Sequence, residues 1–265
     1  MSSLEAVRIC LWSGPRNIST ALMYSFAQRS DTRIYDEPLY AHYLSCTGAR
    51  SYHPGAECVI ATMDSNGARV VRNLILGPAQ APVLFFKQMT HHLVELDMSF
   101  LDKTENVILT RNPEDMLPSY AKKVEIPDLQ DVGYAQHLEL LHHLRDRGRP
   151  PVVLDSRETL SDPRAVLIQL CAALGIEFED SMLSWPEGPR PEDGVWAEHW
   201  YENVHRSTGF QPYEPKAEPF PEALRPLLEK CRPLYEQLAA IALCSDRERT
   251  PVTHHDRRGG RERDT

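Results

Sequence analysis

Three stretches of this chain carry residue types whose chemistry depends on being held together. The first is SGPRNIST at 13–20, which follows the apolar run at 7–12 and precedes a helical pattern. A strand that turns at once into a helix offers an anion its unsatisfied backbone N–H groups and the positive end of the helix dipole. Ser19 and Thr20 add hydroxyl donors, and Arg16 adds a permanent, forked positive charge. The spacing is not the GxxxxGK[ST] of a Walker A loop, because Ile18 stands where a glycine belongs. Two readings follow: a phosphate-type anion site built on residues 16–20, or an ordinary turn with Ser19 as the N-cap.

The second stretch is RNPEDMLPSY at 111–120, after the apolar run at 106–110. Asn112 suits an N-cap, Pro113 the first helical position, and Glu114 and Asp115 the first turn. Arg111 then stands at the carboxyl end of a strand, where open α/β sheets bind ligands. Ser119 follows about two helical turns later. The third stretch is KQMTHH at 87–92, after the run at 83–86. His91 or His92 suits proton abstraction at neutral pH if its pKa stays near the ordinary value. His91 is favoured because it stands nearer the strand end. Asp36 and Glu37 follow another short run. They can bind a cationic acceptor, or Glu37 can serve as an alternative base. In the competing reading Asp36 caps its segment and Glu37 pairs with Arg16. Trp196, Trp200 and Tyr201 can wall a ligand or simply plug a loop, and Arg206 beside them is a candidate lid cation.

Elements that position these residues are legible in outline. Short apolar runs at 7–12, 33–35, 83–86, 106–110 and 152–154 read as strands buried on both faces. Helical patterns at 19–28, 134–147 and 164–174 lie between them, the last opened by Ser161 as N-cap and Pro163. This alternation predicts a three-layer α/β/α fold with a mostly parallel central sheet of about five strands. Residues 41–60 and 184–221 read as loops, the second as a lid or binding loop. Residues 224–243 are helical by period, with Pro226 and Pro233 expected to kink or divide them. Pro118 is expected to interrupt the helix that carries Ser119. One domain over 1–245 and a disordered, arginine-rich tail at 246–265 complete the expected organisation.

Composition narrows the function classes. The chain has 265 residues, 42% hydrophobic and 25% charged, enough for a substantial core without staples. Its net charge of −9 argues against general nucleic-acid binding. No apolar run approaches a membrane span, and no signal peptide is visible at the N-terminus. Six scattered cysteines with no CxxC pair read as thiols in a reducing, cytoplasmic compartment. No metal-ligand spacing stands out.

The second stretch resembles the 3′-phosphate-binding motif of the sulfotransferases that use 3′-phosphoadenosine 5′-phosphosulfate (PAPS). There an Arg-x-Pro at a strand end is followed by a serine eight residues after the arginine, here Arg111, Pro113 and Ser119. PRNIST at 15–20 is similar to the family's 5′-phosphosulfate loop, and VVLDSRETLSDPR at 152–164 to a later strand–helix unit. The resemblance runs over roughly residues 7–180. It departs at Arg16, where the family usually has lysine, at Ile18 in place of a loop glycine, and at Ala21 in place of an aromatic. The C-terminal RKGxxG loop is replaced by HRSTG at 205–209. The pattern is closest to divergent, bacterial-type members.

The resemblance implies a P-loop-like fold, PAPS as donor and no metal. Arg111 and Ser119 would hold its 3′-phosphate, and Arg16, Asn17, Ile18, Ser19 and Thr20 its 5′-phosphosulfate, with Arg206 closing over it. His91 would be the base, and Lys87 and Arg16 would stabilise charge on the bridging oxygen. The expected partner is a small hydroxyl or amine acceptor, not a nucleic acid or a membrane, and a homodimer stays open. Two rivals share the fold: a nucleotide-dependent phosphotransferase, and a non-catalytic binding module.

Overall fold

The computed structural model describes residues 6–124, 127–215 and 218–245. The expected tail at 246–265 lies outside them. Five strands form one parallel sheet: β1 (Val7–Ser13), β2 (Thr32–Asp36), β3 (Val83–Met89), β4 (Glu105–Thr110) and β5 (Val152–Asp155). Their order is β2-β3-β1-β4-β5, and every pairing is parallel. The helices are α1 (Ser19–Phe26), α2 (Tyr40–Cys46), α3 (Ala56–Thr62), α4 (Gly67–Val70), α5 (Pro113–Tyr120), α6 (Leu129–Val132), α7 (Tyr134–Asp146), α8 (Ser156–Ser161), α9 (Pro163–Leu174), α10 (Ala197–Trp200), α11 (Glu202–His205) and α12 (Arg225–Ala239).

Side-chain alternation along the buried strands splits the core into two layers. Ile9, Leu11, Phe85 and Leu109 pack with Leu22 and Phe26 of α1 and Val166 and Leu170 of α9. Cys10, Trp12, Phe86 and Ile108 face the other way, against Leu138, Leu141 and Leu144 of α7 and Leu238 of α12. Helices on both faces of a parallel sheet give the three layers expected. No helix of the described residues is long and apolar enough to cross a membrane.

Several boundaries differ from expectation. Residues 41–60 are not a loop: Tyr40, Ala41, Tyr43 and Leu44 pack into the core at helical spacing. Gly55, at φ +73°, starts α3, so the glycines and proline there punctuate short helices. β3 runs three residues further than the apolar run and so includes Lys87. The N-cap of α9 is Asp162, whose carboxylate accepts from Ala165 N at 2.9 Å, while Ser161 ends α8. Neither Pro118 nor Pro233 breaks its helix. Each lacks the N–H that would bond the carbonyl four residues back, and those residues, Glu114 and Glu229, are exposed, so water can satisfy them. Pro226 lies in the first turn of α12, where no N–H is required.

Strand order fixes where a ligand can sit. The chain leaves β1 toward β2 on one side of the sheet and leaves β4 toward β5 on the other. The carboxyl ends of neighbouring β1 and β4 therefore border the switch-point crevice.

Candidate active site

A cavity of about 590 Å³ opens at that crevice, lined among others by residues 14–21, Glu37, Lys87, His91, Arg111 and the 200–214 segment. Its floor is the turn after β1. Gly14 is needed there, because a Cβ would meet Val132 O at 2.9 Å. Arg16 (φ +58°) and Ile18 (φ +62°) both adopt the left-handed conformation, separated by Asn17 with negative φ. Alternating backbone hand curls successive N–H groups into an anion-binding nest. A β-branched residue in that conformation is strained, and such strain collects at functional sites. Ile18 is also the N-cap of α1, with no side-chain cap bond, so Ser19 is not the cap.

Two arginines converge over this floor. Arg111, directly after β4, donates from Nη1 to Arg16 O at 2.6 Å. Arg16 donates from Nε to Ser119 Oγ at 3.1 Å and from Nη1 to Trp200 O at 3.1 Å. Burial, and then the Arg111 charge beside it, hold the Arg16 pKa below its ordinary value. Among the described residues neither guanidinium has a carboxylate partner, although ion pairs are common elsewhere. Two partly buried like charges without an acid are an arrangement that an anion completes. The positive ends of α1 and α5 border the same space.

Asn17, Ile18, Ser19 and Thr20 all line the cavity. The Asn17 side chain also ties the turn to the sheet, donating from Nδ2 to Leu109 O at 3.1 Å. Ile18 packs against the core layer. Arg206 stands at the cavity wall but is exposed and ion-paired with Glu202 at 3.0 Å.

Lys87 differs most from expectation. It is buried in β3 opposite Asp36, its register partner in β2. Its ammonium donates to Asp36 Oδ1 at 2.9 Å, to Tyr201 Oη at 2.5 Å and to Glu37 Oε1. All three donors are engaged, so the chain does not leave this charge free for a bridging oxygen. Burial opposes the charge, but Asp36 and Glu37 outweigh it and raise the Lys87 pKa. Asp36 also accepts from Tyr201 Oη and Gly194 N, and Trp196 Nε1 donates to Tyr201 Oη at 3.0 Å. The loop at 184–209 is thus docked on this ion pair, and the bridge Ser184–Gly209 closes its base. Glu37 pairs with Lys87, not with Arg16, and Asp36 binds Lys87, Tyr201 and the Gly194 N–H instead of capping a helix.

His91 lines the cavity, but burial, then His53 and His137, push its pKa down to about 3. The expected imidazole of near-ordinary basicity is not found. His92 is also buried, its pKa driven down first by burial and then by His91. Glu37 differs: it lines the cavity with its backbone at φ +42°, and burial, with Asp36, raises its pKa against the pull of Lys87. Its Oε2 lies 4.0 Å from His92 Nε2. Sequence reasoning missed His53 and Tyr40, which also line the cavity, with Tyr40 Oη 2.7 Å from His53 Nδ1. The only signal was a histidine beside Pro54-Gly55. Among the described residues, no group of three or more His, Cys, Asp or Glu is placed to hold a metal ion.

Comparisons with known proteins agree with this architecture. The sulfotransferase domain from the curacin biosynthetic pathway superposes with a TM-score of 0.51 at 17% identity, covering 87% of this chain and 99% of that one. A sulfotransferase from Alicyclobacillus acidocaldarius gives 0.53 at 14% identity, covering 89% and 96%. At those identities the likeness is one of fold. Two Arabidopsis thaliana proteins, branched-chain-amino-acid aminotransferase-like proteins 1 and 2, are 41% and 40% identical over 228 residues. That is 86% of this chain, which spans only about 40% of the length of those relatives. The family model described as a sulfotransferase domain matches residues 7–242. A match of that extent leaves no doubt about descent, and the chain belongs to the sulfotransferase-domain family.

Proposed function

We propose that the cavity binds PAPS and that the chain transfers the donor's sulfuryl group to a small hydroxyl or amine acceptor. The observation that carries this reading is the pair Arg16–Arg111 at the β1/β4 crevice: Arg111 donates to Arg16 O, Arg16 donates to Ser119 Oγ, and neither guanidinium has a carboxylate partner among the described residues. PAPS supplies an activated sulfuryl group on an adenylate that carries anionic groups at both its 3′ and its 5′ ends. Arg111 and Ser119 are the residues for its 3′-phosphate, and the turn at 16–20 with Arg16 is the cradle for its 5′ end. Sulfuryl transfer asks the protein for positioning, positive charge and a base. The first two come from the arginines and the strained turn.

Glu37 is the better candidate for the base. Burial and Asp36 raise its pKa against the pull of Lys87, which makes it a stronger proton acceptor than an ordinary carboxylate, whereas burial makes His91 a weak one. The relatives' aminotransferase name does not carry over to this stretch. Lys87 is the one lysine lining the cavity among the described residues, and its neighbours keep it charged, while imine chemistry needs a neutral amine.

The test is sulfuryl transfer from PAPS to a panel of hydroxyl and amine acceptors. Glu37→Gln should lower turnover on the order of 100-fold or more while bisphosphate affinity holds. His91→Ala should keep turnover within about tenfold of the parent. The reverse pattern returns the base to His91. Bisphosphate binding without transfer to any acceptor favours a non-catalytic module.

A further inference from the structure

Arg16 and Arg111 come from different strand ends, and a third element joins those ends. β5 lies beyond β4 from β1. At about 4.8 Å between neighbouring strands, β1 and β5 are about 10 Å apart. A side chain at the end of β5 can therefore meet the turn after β1 only where that turn leans over the end of β4. Ser156, the first residue of α8, makes this contact. Its Oγ donates to Asn17 O at 3.0 Å and to Thr110 O at 2.9 Å. Asn17 stands between the two left-handed residues of the turn, and Thr110 immediately precedes Arg111. One hydroxyl hydrogen thus serves carbonyls from both halves of the cationic end.

Ser156 is itself held from behind. Its neighbour Asp155, the register partner of Thr110, accepts from Arg157 N at 2.7 Å and from Tyr235 Oη at 3.0 Å. Thr159 Oγ1 donates to Asp155 O at 2.8 Å. Two further bonds tie the turn to β4 and its exit, from Asn17 Nδ2 to Leu109 O and from Arg111 to Arg16 O. Asn17 and Arg111 line the cavity, so a ligand that draws on them competes with those ties. Ser156 is buried and does not line the cavity, so its tie outlasts binding. No other group takes its place. The Thr110 hydroxyl is buried without a partner among the described residues, and the α1 ladder begins with Leu22 N on Ile18 O, which leaves Asn17 O outside it. Without an anion between them the two arginines repel each other, and a neutral buried tie holds the halves together against that push.

We propose that Ser156 is a positioning residue that sets the spacing between the turn at 16–20 and the β4 exit at Arg111, so that one ligand with anions at both ends can bridge them. The inference rests on the sulfotransferase reading of the cavity and adds the residue that keeps its two phosphate sites at a fixed separation.

The experiment is calorimetric titration of the full chain, parent and Ser156→Ala, with adenosine 3′,5′-bisphosphate, adenosine 5′-monophosphate and adenosine 3′-monophosphate. The bisphosphate spans both halves and each monophosphate uses one, so a spacing error weakens the first selectively. Ser156→Ala should lose about tenfold in bisphosphate affinity and less than about threefold for either monophosphate, the scale of one lost hydrogen bond. Ser161→Ala is the control: it removes a hydroxyl bonded to Arg157 O on the same helix and should leave all three within about twofold. If Ser156→Ala does not fold, Ser156→Cys, close in size and a weaker donor, is read in the same way. An unchanged bisphosphate preference in a folded variant overturns the proposal, and so does an equal loss for all three ligands. A parent with no bisphosphate preference overturns the donor reading instead. The spacing claim is then decided by amide hydrogen exchange of the ligand-free chains. Amides at 16–20 should exchange about tenfold faster in Ser156→Ala while those of β3 hold, and an unchanged turn overturns the claim.

Discussion

Replacing Arg111 by alanine should weaken adenosine 3′,5′-bisphosphate binding on the order of 100-fold, the scale of losing charge-assisted hydrogen bonds in a partly buried site. The side chain has two roles to lose. Its guanidinium lines the cavity with no acid partner among the described residues, and its Nη1 holds Arg16 O at 2.6 Å, in the left-handed turn. Arg111→Lys keeps a charge but not the fork, so it should recover only part of the affinity. Arg206→Ala is the matched control. That arginine is exposed and paired with Glu202, so its loss should change affinity less than about threefold. Calorimetry on the three variants, with melting temperatures to verify folding, checks the pattern. Equal effects at Arg111 and Arg206 would contradict the assignment of Arg111 to the anion.

Lys87→Met should be the most destabilising single change in the site. It removes the one cation between two buried carboxylates, and breaking a buried pair from one side costs about 3–5 kcal/mol. At a few degrees per kcal/mol for a chain of this size, the melting temperature should fall on the order of 10 °C. The loop at 184–209 loses its anchor as well, because Tyr201 Oη accepts from Lys87. The pH dependence has a definite sign. Burial and Asp36 already place the Glu37 pKa above its unfolded value, with Lys87 pulling it down. Without Lys87 it rises further. An acid whose folded pKa exceeds its unfolded one binds its proton more firmly when folded. Its contribution is therefore present at low pH and lost as pH rises through the folded pKa. The variant should recover stability on mild acidification, and thermal melts between neutral and mildly acidic pH measure it. A melting temperature like the parent's would show that the pair does not hold the core together.

Much of the architecture was legible because the strands are buried on both faces. β1, β3 and β4 carry apolar runs at 9–12, 83–86 and 107–109, the pattern of a parallel sheet covered by helices on both faces. β3 ended later than its apolar run because Lys87 looks like a strand exit. What makes it a core residue is Asp36 across the register of β2, a pairing visible only in three dimensions. Residues 40–62 concealed their helices because glycine and proline occur close enough together to resemble one loop. In the site, Arg16, Arg111 and Ser119 were legible from motif and spacing, and the adjacency of β1 and β4 brings them together. The division of labour between Glu37 and His91 was not. It depends on burial and on neighbours contributed by four separate segments, and a left-handed glutamate has no sequence signature. His53 joins the cavity through α2 and the turn after it, where nothing in its neighbours marks it.

The central claim is that the two arginines grip one bisphosphorylated adenylate, and thermal unfolding of the wild-type chain tests it most directly. Adenosine 3′,5′-bisphosphate at about a hundredfold excess over its Kd should raise the melting temperature by roughly 5–10 °C without magnesium, and Mg·ATP should leave it unmoved. Stabilisation by Mg·ATP, with the bisphosphate inert, would contradict the account and point to phosphoryl transfer.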